Sequence, residues 1–127
     1  MSERKRILIV DDDDDLAVAL GVRLMANGFD LERAGDAITA VSKAKNTSPD
    51  LILLDLGLPA GSGFVVLERL QKLFIRVPVI VITASGPENR EQAMHAGAVA
   101  YIEKPVDATE LLATIRKALS DDDIQAG

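Results

Sequence analysis

A doubly wound α/β fold around a five-stranded parallel sheet is predicted by three features of this 127-residue sequence. Residues 7–10 (ILIV), 51–54 (LILL) and 79–82 (VIVI) are short, wholly aliphatic runs. Apolarity without alternation means burial on both faces, as in the middle of a parallel sheet. Residues 30–34 (DLERA) and 99–103 (VAYIE) alternate only partly, which suits edge strands with one wetter side. Strand starts near residues 7, 30, 51, 78 and 99 leave room for a helix after each, giving five βα units.

The helices follow in order. Leu16, Leu20 and Leu24 share one face, and Ala37, Ala40, Val41 and Ala44 another. Residues 64–73 and 88–96 give weaker helical patterns, and Leu111, Leu112, Ile115, Ala118 and Leu119 give a third clear stripe. Asp36 and Asp107 are placed to cap the helices after them, with Glu110 three residues beyond Asp107. Gly28 and Gly97 fall just past helix ends, and Pro59, Gly61 and Gly63 mark a loop. Right-handed crossovers with the second and fifth strands at the edges yield the order 2-1-3-4-5, a flavodoxin-like sheet. Ligands of such sheets bind beyond the carboxyl ends of strands one and three. The domain is expected over residues 1–119, with residues 120–127 (SDDDIQAG) a polar, acidic tail or linker start.

Composition narrows the classes. With 48% hydrophobic and 27% charged residues the chain supports a core, which excludes disorder for its body. Zero cysteines exclude a disulfide scaffold, a thiolate metal site and a thiol nucleophile. Neither a membrane span nor a signal-peptide apolar region is present, and a cytoplasmic location is expected. A net charge of −6 speaks against direct nucleic-acid binding, which draws on clustered Lys and Arg.

Polar residues collect where the strands end. Strand one runs into five aspartates, Asp11 to Asp15, strand three into Asp55, strand four into Thr83, and strand five into Lys104 and Pro105. Asp13, Asp14 and Asp15 are explained by helix capping and the macrodipole. Asp55, directly after a buried aliphatic run, is not, because a charge there is costly unless solvated, paired or functional. Asp11, Asp12 and Asp55 should converge, and converging carboxylates repel unless one is protonated or a cation joins them. An all-oxygen set favours a hard ion such as Mg2+, with the Gly57 carbonyl a further ligand. One carboxylate can then attack phosphorus, while Thr83 donates a hydrogen bond to the transferred group and Lys104 neutralises it.

From residue 6 to 119 the sequence resembles the receiver domains of two-component response regulators, the CheY-like family. The resemblance runs through ILIVDDD, LILLDLGLPAGSGF, VIVITA and GAVAYIEKP. It implies that Asp55 is the phosphoacceptor, that Asp12 binds Mg2+ directly and Asp11 through water, and that the Gly57 carbonyl completes the set. It further implies that Thr83 is the switch hydroxyl, Lys104 the phosphate-binding lysine and Tyr101 the aromatic switch, with a cis Lys104–Pro105 peptide. Such a domain is not an enzyme toward other molecules; it catalyses only its own aspartyl phosphorylation and dephosphorylation. Its partners would be a sensor histidine kinase or phosphotransfer protein and a downstream output domain or protein. The face of helix four, strand five and helix five would carry the signal, and two copies could pair through it. The family usually has a larger side chain at Gly57 and often Phe at Val106; the first departure would alter phosphate lifetime by admitting water. The only histidine, His95, is expected at the surface, so the phosphodonor is external.

Other readings fit less well. A haloacid-dehalogenase-like phosphatase would use Asp11 and Asp13 as a D-x-D pair, but Asp14 and Asp15 follow where Thr or Val is expected. A flavin module needs a first loop that attracts phosphate, and five aspartates repel it. Gly61-Ser62-Gly63 lacks the Lys and spacing of a P-loop. A scaffold of the same shape that works without phosphorylation would have lost functional positions, and none is lost here.

Overall fold

The computed structural model describes residues 4–59 and 62–126. Gly61 of the predicted loop, residues 1–3 of the basic amino terminus and Gly127 lie outside the described residues. The elements alternate: β1 (Arg6–Val10), α1 (Asp14–Ala26), β2 (Asp30–Ala34), α2 (Ala37–Thr47), β3 (Leu51–Leu54) and α3 (Gly63–Lys72) form the first half. Then come β4 (Val79–Thr83), a 3-10 turn at Pro87–Asn89, α4 (Arg90–His95), β5 (Ala100–Glu103) and α5 (Ala108–Ala126). The five strands are parallel and ordered β2-β1-β3-β4-β5, the flavodoxin-like arrangement that the edge and centre patterns predict.

Strand alternation divides the core in two. Leu8, Val10, Ile52, Leu54, Val79 and Val81 face α2, α3 and α4, packing on Ala40, Val66, Leu67, Leu70 and Ala93. Ile7, Ile9, Leu51, Leu53, Ile80 and Ile82 face α1 and α5, against Leu20, Leu24, Leu111 and Ile115. The three central strands are buried on both sides, and each fully buried Leu or Ile contributes about 1.5–3 kcal/mol. The sequence runs without alternation there because both faces are dry.

Helix ends follow local chemistry. Asp13 caps α1 by accepting from the Leu16 amide, Asp36 caps α2 through the Thr39 amide, and Asp107 accepts from the Thr109 and Glu110 amides. Gly28 (φ 93°) and Gly97 (φ 113°) take the left-handed conformation expected of them. One expectation needs correction. Gly63 is not a loop residue but the first residue of α3, held by its amide to the Leu56 carbonyl at 3.0 Å. Beyond residue 119, α5 continues to Ala126; no Gly or Pro intervenes, and Lys117 pairs with Asp121 at 3.4 Å.

Candidate functional site

The register of the sheet builds the site. Val10 lies opposite Leu54, so the next residues, Asp11 and Asp55, leave neighbouring strands side by side. Ladder bonds hold both in place: the Asp11 amide donates to the Ala34 carbonyl at 3.0 Å and the Asp55 amide to the Val10 carbonyl at 2.9 Å. Thr83 closes β4, and its carbonyl accepts from the Lys104 amide at 2.9 Å. The Lys104–Pro105 peptide is cis, as expected. Among the described residues the buried polar or charged ones are Asp11, Asp55 and Thr83, all at this one edge.

Carboxylate oxygens of Asp11, Asp12 and Asp55 lie within 4.8 Å of one another, with Asp12 exposed. Such crowding is compensated donor by donor. The Asp11 carboxylate accepts from the Asp13 amide at 2.8 Å, and that of Asp55 from the Gly57 amide at 3.0 Å. The Lys104 ammonium bridges the pair, 2.9 Å from Asp11 Oδ2 and 3.2 Å from Asp55 Oδ2. Burial opposes the lysine's charge, but hydrogen bonding and Coulombic contact with Asp11 and Asp55 outweigh it, and its pKa is raised. Asp12 makes no such bond to the lysine and opens the cluster to solvent. Three oxygen donors converging at one accessible corner fit a hard divalent cation. The donor set of Asp11, Asp12 and Asp55 therefore suits Mg2+. Asp13 stands apart, its carboxylate engaged with the Leu16 amide of α1, so the D-x-D pairing with Asp11 has no geometric support.

Thr83 Oγ1 shares a hydrogen bond of 2.8 Å with Ser85 Oγ and accepts from the Ser85 amide. Tyr101 pairs with Val81 across the sheet, on the Thr83 side, and its hydroxyl donates to the Gly86 carbonyl. His95 is exposed, 3.8 Å from Glu91. Two residues near the site escaped sequence reasoning. Arg33 donates to the Asp11 carbonyl at 3.0 Å and pairs with Asp14 at 2.6 Å, drawing that carboxylate away from the cluster. Ser85 is the partner of Thr83. A cation ending an edge strand beside an aspartate run was the one available sign of Arg33; Ser85 carried none.

With this geometry in view, comparison with known proteins assigns the family. The response regulator receiver domain model matches residues 7–116, so the chain belongs to that family. It is a receiver domain of a two-component response regulator, a signalling domain of a kind that generally binds Mg2+. It is 38% identical over 117 residues to the DNA-binding dual master transcriptional regulator RpaA of Synechocystis sp., covering 90% of this chain and 48% of that protein. It is 32% identical over 123 residues to the alkaline phosphatase synthesis transcriptional regulatory protein PhoP of Bacillus subtilis, covering 96% and 51%. The chain thus spans about half the length of the curated relatives it matches. Among solved structures, a CheY-like receiver domain protein of Methanospirillum hungatei superposes with a TM-score of 0.91 at 35% identity, covering 97% of this chain and 99% of that one. The receiver domain of a putative Luxo repressor protein from Vibrio parahaemolyticus gives 0.93 at 28% identity, covering 98% and 96%. Among the described residues no helix is long and apolar enough to cross a membrane.

Proposed function

We propose that Asp55 accepts a phosphoryl group from a phosphohistidine on a sensor histidine kinase or phosphotransfer protein. The observation that carries this reading is the convergence of Asp11, Asp12 and Asp55 with Lys104 bridging two of them. An Asp55 oxygen attacks phosphorus as the P–N bond breaks, its electron pair returning to an imidazole whose other nitrogen already holds a proton. Mg2+, when bound, would supply charge neutralisation for the phosphoryl oxygens. Asp12, Asp55 and the Gly57 carbonyl would hold it directly in this reading, and Asp11 would act through water. Lys104, already charged and beside the acceptor, moves onto the new phosphate, and Thr83 gives it a hydroxyl hydrogen bond. Histidine comes from outside, because His95 stands exposed on α4.

The added group carries about −1.5 to −2 charges. Drawing Thr83 toward it vacates space on the side of the sheet where Tyr101 sits, and the Tyr101 ring turns into it, exchanging its Gly86 bond. The α4–β5–α5 face changes with it, by a shift between two populated states. That face meets the output domain or protein and pairs two copies. The domain acts in the cytoplasm, touches no nucleic acid itself and turns over only its own aspartyl phosphate. Intact mass after acetyl phosphate and Mg2+ tests the reading: one phosphate is expected on the native chain and none on Asp55→Ala. A phosphate gained equally by the variant would remove Asp55 from the role.

A further inference from the structure

We propose that the groove between α2 and α3 docks an acidic amphipathic helix of a partner protein. The guest's acidic amino-terminal turn would lie over Lys45, Arg69 and Lys72, and its apolar stripe along Val41, Val65 and Leu73. The groove encloses about 600 Å³ on a part of the surface separate from both the acidic corner and the α4–β5–α5 face. Its apolar walls are not buried by the chain itself: Ile38 is 82% exposed, Leu73 47% and Val65 42%. Single exposed aliphatics are ordinary, but several lining one groove mark an interaction surface. Phe74, next after Leu73, extends the apolar character of this end. It is 89% exposed and sits at φ 55°, a left-handed position that favours Gly and that no burial of its ring offsets.

Charge decides what kind of guest fits. On a chain of net charge −6 this groove is lined by Lys45, Arg69 and Lys72 against one carboxylate, Glu68, which is taken by Lys72 at 2.9 Å. Lys45 has no ion-pair partner among the described residues. These cations suit the last turns of α2 and α3 through the helix dipole, yet that explains neither Ile38 nor Leu73 in the open. Both helices follow parallel strands and run the same way, so Ile38 and Val65 lie toward one end of the groove, and Lys45, Arg69 and Lys72 gather at the other, beside Leu73. Its length, about 15 Å, takes about three turns of helix. Natural helices carry acids in their first turn, so a matching guest runs antiparallel to α2 and α3.

The test is a titration of the 15N-labelled full chain with a synthetic helical peptide of about 12 residues. It carries Asp and Glu in its first turn and Leu along one face. Amide shifts confined to residues 37–46 and 65–74 are expected, weaker at high salt, and unchanged in Asp55→Ala. That last arm separates this proposal from the phosphoacceptor reading. A spin label on the peptide amino terminus should broaden Lys45 and Lys72, and one on its carboxyl terminus should broaden Ile38. Lys45→Glu with Arg69→Glu, both at the surface, should weaken binding by about tenfold or more. Equal binding of a peptide with Lys in place of its acids would overturn the proposal, as would shifts centred elsewhere or none at millimolar peptide. Shifts in the same residues that depend on protein concentration alone would also overturn it, by giving the groove to a second copy.

Discussion

Gly63 shows how tightly single residues set the site. A Cβ built there would stand 2.6 Å from the Asp55 carbonyl oxygen and 2.8 Å from the Leu56 Cα, backbone atoms with nowhere to go. Gly63→Ala should cost about 1–3 kcal/mol, read from the denaturation midpoint, and should slow phosphorylation by shifting the loop that carries Asp55. Tyr101 offers a second handle, because it is the only tyrosine in a chain without tryptophan. Burial raises its pKa above 10.0, with Glu103 and Glu88 adding to the shift. The sign follows from linkage: the neutral phenol is favoured by folding, so its contribution is full below pH 10 and fades as pH climbs through the higher folded value. Phenolate absorbance should therefore titrate later in the native chain than in denaturant. Coincident curves would contradict the desolvated setting of the ring.

At the scale of elements, the α1 amino terminus separates the capping aspartates from the clustered ones. Asp13 accepts from the Leu16 amide, while Asp14 and Asp15 occupy the first turn. Asp13→Ala should destabilise the fold by about 1 kcal/mol in chemical denaturation while leaving the phosphate uptake of Asp55 intact, since the Asp13 amide still serves Asp11. These roles were legible because an aspartate run before an apolar periodicity has a capping explanation for its later members and none for its first two. The strands were legible for a similar reason: period-free apolar runs admit few alternatives to a buried parallel strand. Gly63 was not. Its neighbours Pro59 and Gly61 spell a loop, and only the approach of α3 to β3 reveals that the residue opens a helix.

For the whole molecule, an ion held at the acidic corner would add to stability. A cation that binds only the folded cluster adds about 1.4 kcal/mol at about ten times its Kd, raising Tm by about 4–7 °C. Mg2+ should do so in thermal unfolding, EDTA should reverse it, and Asp12→Ala combined with Asp55→Asn should abolish it. An equal rise in that double variant would place the ion elsewhere. The sequence by itself determined the βα order, the central and edge strands, the caps, and the polar residue at each strand's end, because burial and capping leave local signatures. Only the tertiary structure decided the partners. Lys104 meets Asp11 across 93 residues and Asp55 across 49, and Arg33 reaches the Asp11 carbonyl across 22. No local pattern encodes such contacts. They arise when parallel strands bring their carboxyl ends to one edge, where burial leaves each charge dependent on the donors that the fold brings within reach.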